Sequence, residues 1–403
     1  MSQNQPVKKY LITSALMGFG HLRAAHNISS YSHAPVVRVD REPNVNAVDK
    51  FVWSGSQYLH SYASRGAEGR GGLLYKWFEG VMSIPEDHQA PSMTESNFIH
   101  LLKRFGVGKT FYRDLNGSST PLLHTFYLPA MLSLYWKYSG KNFLLLCDTD
   151  FHRVWVPTDP TVGNLEYFVP ILGSADTLMS YGVPRDRIHV TGFPLPPAST
   201  GGRDLGTLIS DFEVRRMRLG ADSSVPLTIM FPFSGAGAYS NILADLVKTI
   251  LDDLREGSLR LMVSCGNNEH ALRNAENIFT NYGLDESEFA EIMFDKDIFG
   301  AFDRFNRALK SADLIITKPS EMVFYAGLGI PMVFLPPIGA HEAKNRRYLI
   351  ENKCAVDMGA VSEFPLWLDE ARRSGKLLEF AEMGYRNIPK TGAYEIDDIM
   401  GSI

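Results

Sequence analysis

The sequence predicts an α/β protein of two successive parallel-sheet halves. A strand, glycine turn, helix, strand opening begins near residue 10, and the same pattern restarts near residue 226. A Pro/Gly-rich stretch lies between the two.

Lys9–Leu16 reads as a buried strand, broken at Gly18-Phe-Gly20 and followed by a helix from His21 to Ile28. Val36–Val39 is a second strand, ending at Asp40. Strands joined through a helix must cross over, which gives a parallel pair. Residues 44–140 read as mostly helical and aromatic, with a Gly-rich break at Gly69–Gly72. Asn142–Cys147 is a core strand, and Asp186–Gly192 gives a last short one. Phe193-Pro-Leu-Pro-Pro197, with Gly201 and Gly202, is the linker. The expected domains are 1–198 and 199–403, with the last helices free to cross back to the first.

The second half opens with a strand at Pro226–Phe231 and a turn at Ser234–Gly237. An amphipathic helix over 240–255 follows from Leu243, Leu246, Val247, Ile250, Leu251 and Leu254 at helical spacing. Leu259–Val263 is the next strand. A helix at Ala301–Ser311 leads to a strand at Asp313–Thr317, a short helix at Glu321–Leu328 and a strand at Pro331–Leu335. Two such halves make a two-lobed enzyme, and ligands of open α/β sheets bind at the carboxyl ends of the strands.

Composition narrows the class. The chain has 403 residues, too many for one ordinary core. With 45% hydrophobic and 21% charged residues it has a globular balance. A net charge of −5 argues against general nucleic-acid binding. Met1–Tyr10 lacks the apolar core of a signal peptide, and no apolar run reaches the roughly 18 residues of a membrane span. Cys147, Cys265 and Cys354 are far apart, which suits buried reduced thiols. The expected address is the cytoplasm or the cytoplasmic face of a membrane.

Several polar groups fall at strand ends. Gly18-Phe-Gly20 lets the backbone approach a ligand, and His21 at the helix start could serve as a general base or simply pack there. A dinucleotide reading would give Asp40 a ribose, but Arg23 stands where the third glycine belongs. Asp148 and Asp150 after the core strand could hold a divalent ion or merely cap a turn; His152 and Trp155 favour a shaped polar and aromatic pocket. In the second half, Ser234, Gly235 and Gly237 could cradle a diphosphate. Lys318 could neutralise phosphate, Glu342 could accept ribose hydroxyls and Asn345 could bind a sugar. A capped helix with a solvated face is the plainer alternative. Leu101–Arg113 carries Lys103, Arg104, Lys109 and Arg113 among Phe105, Phe111 and Tyr112, with aromatics nearby at Leu73–Phe78. That patch is either a surface for anionic lipid or a solvated face with its aromatics in the core.

The order of these pieces carries a resemblance. The chain holds a GxGH turn, Thr149–Trp155, the Tyr181–Pro194 run, the turn at Phe233–Ala238, the strand end at Ser264–Asn268 and the Thr-Lys-Pro and H-E-x-x-N segments of Asp313–Asn345. It resembles the family-28 glycosyltransferases of the GT-B fold, which include galactolipid synthases, diacylglycerol glucosyltransferases and the N-acetylglucosaminyltransferase of peptidoglycan precursor synthesis. The match runs from residue 10 to about 360 and is poor across 44–120.

The resemblance implies two Rossmann-like domains with parallel sheets facing an interdomain cleft. It implies inverting transfer from a UDP-sugar to a hydroxyl acceptor, a lipid in several relatives, with no metal and no cofactor beyond the donor. His21 becomes the catalytic base, and Gly20, Asp150, His152 and Trp155 fall on the acceptor side. Ser234, Gly235, Gly237, Gly266, Asn267, Lys318, Ser320, Glu321, Glu342 and Asn345 fall on the nucleotide-sugar side. The turn from Lys318 to Glu321 is shorter than the family's, and the phosphate turn lacks a double glycine, which leaves donor and activity open. The alternatives are a nucleotide-sugar epimerase or hydrolase on the same fold, and a binding protein without turnover.

Overall fold

A computed structural model describes residues 10–41, 43–66, 100–115, 117–233, 239–337 and 340–403. The chain divides into two compact units. One comprises 1–60, 82–194 and 391–403, the other 61–81 and 195–390.

The first unit is built on β1 (Leu11–Ser14), β2 (Val36–Arg38), β3 (Leu122–His124), β4 (Asn142–Leu145), β5 (Leu165–Val169) and β6 (Ile188–Val190). They form one parallel sheet in the order β2-β1-β3-β4-β5-β6. The sheet is buried on both faces, which is why β4 and most of β5 are continuous apolar runs. Helix α1 (Gly20–Ser32) covers one face through Ala24, Ala25 and Ile28, and the C-terminal helix Gly392–Gly401 packs beside it through Ala393, Ile396 and Met400. Burying Ile28, Ile396 or Met400 contributes about 1.5–3 kcal/mol each, and each alanine less. On the other face, helix α2 (Tyr127–Tyr135) places Ala130 and Met131 against Leu144 and Tyr167.

The second unit repeats the design with β7 (Leu227–Pro232), β8 (Leu259–Gly266), β9 (Ala290–Phe294), β10 (Leu314–Thr317), β11 (Met332–Phe334) and β12 (Ala355–Asp357). Its parallel order is β12-β11-β10-β7-β8-β9, which read from β9 is the 3-2-1-4-5-6 arrangement of dinucleotide-binding sheets. Buried polar contacts set the position of β10. Asp313, just before it, accepts Arg218 Nε at 2.7 Å and the Thr228 backbone N–H at 3.0 Å. The buried Arg215 donates to the carbonyls of Leu309, Ala312 and Leu328 at 2.8–2.9 Å, so its charge is compensated on every side.

The structure differs from the sequence reading in particular places. β3, β5, β9 and β12 were not anticipated, and β3 falls inside the stretch expected to be helical. The helix expected over 240–255 is two helices, Ser240–Thr249 and Leu251–Glu256, broken at Ile250, where φ is −102° and ψ 14°. All three cysteines are buried. Among the described residues, no helix is long and apolar enough to cross a membrane.

Candidate functional site

In each sheet the order reverses at one point, and it is beyond the carboxyl ends of the strands at such a point that ligands of open α/β sheets bind. In the first unit the reversal lies between β1 and β3. The chain leaving β1 turns at Gly18, whose φ of 81° an L side chain adopts only under strain, and enters α1 at Gly20. That puts His21 in the first turn of the helix, half-buried. The chain leaving β3 delivers Phe126, and the chain leaving β4 delivers Trp155. Their ring centroids lie 5.2 and 5.4 Å from that of His21. Phe126 and Trp155 meet edge to face at 5.9 Å, and Tyr127 stands 5.5 Å from Trp155. Two rings from neighbouring strand ends, Phe126 and Trp155, thus pack against the imidazole, and Tyr127 packs against both of them.

The segment that carries Trp155 is itself well tied down. The Phe151 N–H donates to the Asp150 carboxylate at 2.9 Å, and Ser174 Oγ donates to the Thr149 carbonyl at 2.8 Å. His152 caps the turn Arg153–Trp155 by accepting the Val154 N–H on Nδ1 at 3.2 Å, which leaves the ring proton of the neutral form on Nε2. Asp150 and His152 thus act on the backbone beside Trp155. Among the described residues, no group of three or more His, Cys, Asp or Glu side chains could hold a metal ion. The dinucleotide alternative also loses its acid. Asp40 receives both arms of Arg38, at 2.7 and 2.5 Å, with Gln57 at 3.1 Å and the Leu16 N–H at 3.3 Å.

In the second unit the reversal lies between β7 and β10. Ser234, Gly235 and Gly237, after β7, lie outside the described residues. At the end of β8, Gly266 adopts φ 59°, Asn267 is half-buried, and Asn268 caps the next helix by accepting the His270 and Ala271 N–H groups. After β10, Lys318 is half-buried and Ser320, buried, donates its backbone N–H to the Lys318 carbonyl at 2.8 Å. Glu321 begins a 3-10 turn running to Leu328; its side chain lies outside the described positions.

β10 and β11 are neighbours in register, with Thr317 opposite Phe334. The segments that follow them therefore meet. Helix Ala340–Glu351 brings a buried Glu342 against Lys318, whose Nζ donates to Oε1 at 2.7 Å. Asn345, one turn further along, is fully buried. Lys318 and Glu342, expected to bind phosphate and ribose separately, form one ion pair. Arg346, on the same helix, pairs with Asp357 in solvent.

The basic-aromatic stretch divides. Phe111 and Tyr112 are in the core, where Tyr112 donates its hydroxyl to the Pro129 carbonyl. Leu101, Phe105, Arg104 and Lys109 are exposed, and Arg113 pairs with Asp114. Leu73–Phe78 lie outside the described residues. Phe126 and Tyr127 were missed because β3 was missed; the Thr125-Phe-Tyr127 run after the short apolar Leu122-Leu123 was the available signal.

Comparison with known proteins gives the following. Residues 274–355 match a family described as a domain of unknown function, DUF6938. A processive diacylglycerol beta-glucosyltransferase of Staphylococcus carnosus is 25% identical over 85% of this chain and 78% of its own. One from Bacillus cytotoxicus is 22% identical over 97% of this chain and 93% of its own. Among solved structures, Acinetobacter baumannii MurG superposes with a TM-score of 0.50 at 12% identity, covering 98% of this chain and 99% of that one. The S. aureus MnaA–UDP structure gives 0.53 at 11%, covering 96% and 94%. The resemblance to GT-B glycosyltransferases read from the sequence is borne out, as is the fold of two Rossmann-like domains.

Proposed function

We propose that the protein is a glycosyltransferase that moves a sugar from a UDP-sugar to the hydroxyl of a lipid acceptor, with inversion and without a metal. The observation that carries the reading is the likeness, across both units, to enzymes named as diacylglycerol beta-glucosyltransferases. The geometry of the two switch points supports it.

In this reading His21 takes the proton of the acceptor hydroxyl. The freed oxygen attacks the anomeric carbon, a new C–O bond forms on one face, and the bond to the diphosphate breaks on the other. UDP departs carrying the bonding electrons. Phe126 and Trp155 hold the imidazole, and with Tyr127 they offer the acceptor an apolar wall. Glu342, oriented by Lys318, receives ribose hydroxyls, while Asn345, fully buried one turn further along, stays in the core. The departing negative charge is met by Lys318 and by the loop after β7, groups set in place before the reaction.

The test is product analysis. Radiolabelled UDP-glucose is incubated with and without dispersed diacylglycerol, and both the lipid and nucleotide fractions are resolved. A labelled glycolipid formed only with acceptor supports the proposal. Labelled free sugar, or an isomerised UDP-sugar formed equally without acceptor, assigns the site to a hydrolase or epimerase.

A further inference from the structure

The first unit holds a pocket whose lining includes Arg153, Val154 and Val156, the chain neighbours of Trp155. Its volume is about 760 Å³, within the usual range of small-ligand sites. The wall is aliphatic: Met131 and Leu134 from helix α2, Val154 and Val156 from the segment after β4, and Val162 from the loop before β5. The polar groups around it satisfy one another. Arg153 donates to the carbonyls of Val156 and Pro157 at 2.5 and 3.1 Å. Asp159 accepts the Thr161 N–H at 3.0 Å and its hydroxyl at 2.6 Å. His100 and the Tyr135 hydroxyl are 3.2 Å apart. A ligand inside would meet carbon and bonded dipoles, so a polar guest would lose its water contacts without replacement.

The mouth has a different character. Lys137 and the Asp159 carboxylate are both exposed there, and Lys103 Nζ sits 3.4 Å above the ring of Tyr135, a wall residue. His100 opens the segment whose Leu101 and Phe105 are 49% and 59% exposed. A largely aliphatic wall, a mouth with two lysines against one carboxylate and an apolar threshold match a hydrocarbon chain with an anionic head. We propose that this pocket holds the acyl chain of an anionic lipid. The pocket also shares a segment with the catalytic ring cluster: Trp155, against His21, lies in the chain between the two valines of the wall. An occupied pocket would brace that segment. The inference extends the lipid reading above and can be tested apart from it.

The test uses cis-parinaric acid, a fluorescent fatty acid that accepts energy from tryptophan; Trp155 and Trp136 are the nearby donors. Saturable energy transfer is expected for the full chain. Leu134→Glu and the surface variant Val162→Glu should each weaken it about tenfold or more, by placing charge against the chain. Displacement by dioctanoylphosphatidylglycerol identifies the guest as a lipid tail; displacement by oleate alone identifies a free fatty acid and overturns the lipid assignment. Absence of saturable transfer, or wild-type affinity in both variants, overturns the pocket altogether. Thermal stabilisation by UDP, read on the same preparations, checks that the variants are folded. Its absence from the wild type would count against the glycosyltransferase proposal while leaving the acyl result to stand by itself.

Discussion

Lys318 Nζ donates to Glu342 Oε1 at 2.7 Å, with the lysine side chain 19% exposed and the glutamate 2%. The two residues follow the adjacent parallel strands β10 and β11, of which β10 borders the switch point of the second sheet. A buried ion pair lends little net stability, yet breaking it leaves a buried charge alone.

Glu342→Ala should therefore lower the stability of the protein by about 3 kcal/mol and also abolish stabilisation by UDP. Lys318→Met combined with Glu342→Leu should recover much of the stability and none of the UDP effect. Urea midpoints and UDP-dependent melting of the variants check this. Undiminished UDP binding by the double variant would remove the pair from the donor site.

His21→Ala should reduce turnover by about 10²-fold or more, the usual scale for loss of a general base. Stabilisation by UDP should be unchanged, because His21 belongs to the first unit and the proposed donor groups to the second. Steady-state rates and a UDP melting curve together decide it. Near-normal turnover would exclude the residue from the chemistry.

His124 predicts a pH dependence unrelated to catalysis. It is fully buried on β3, with Nδ1 2.6 Å from Thr13 Oγ1 and Nε2 3.1 Å from Asn142 Oδ1. Neutral imidazole satisfies both contacts. Burial pushes its pKa down to about 4, opposed by the bond to Asn142. The unfolded chain takes up that proton near 6.5, so between the two values it binds more protons than the folded state. Stability is complete above about pH 6.5 and declines as pH falls toward 4, by about 3 kcal/mol from this group. Denaturant midpoints at pH 7 and 4.5 should differ less for His124→Gln than for the wild type. Parallel shifts in the two proteins would contradict the assignment.

The exposed part of the basic stretch predicts membrane docking. Flotation with anionic vesicles should weaken with salt and should fall when Phe105 or Leu101 is changed to Glu, each removing an apolar anchor. Each basic side chain near the surface contributes roughly 1 kcal/mol, so Arg104→Glu should reduce binding as well. A protein that stays in solution with anionic vesicles at low salt has no such surface.

The most legible strands were those marked by short apolar runs: Phe143–Cys147 at β4, Leu314–Ile316 at β10 and Met332–Leu335 at β11. β3 sits next to a long aromatic stretch and ends in the hydrogen-bonded His124, and β5 is interrupted by Glu166. β12, Ala-Val-Asp, has only its first residue buried, so no apolar run marks it. Periodicity also runs through the break at Ile250, since the apolar stripe continues although the backbone does not. Site residues were legible where glycine or proline marks a strand end, as at His21 and Lys318. Their partners were not. Phe126 depended on finding β3, and the pairing of Lys318 with Glu342 depends on two strands being neighbours across 24 residues of chain. Spacing along a sequence carries no trace of that adjacency.

The most direct measurement of the central claim is transfer from labelled UDP-glucose to diacylglycerol in the presence of EDTA. A beta-linked glucosyl lipid is expected at the rate seen without chelator, formed only when diacylglycerol is supplied. Loss of activity in EDTA with recovery on adding manganese, or consumption of UDP-glucose that ignores the acceptor, would contradict it.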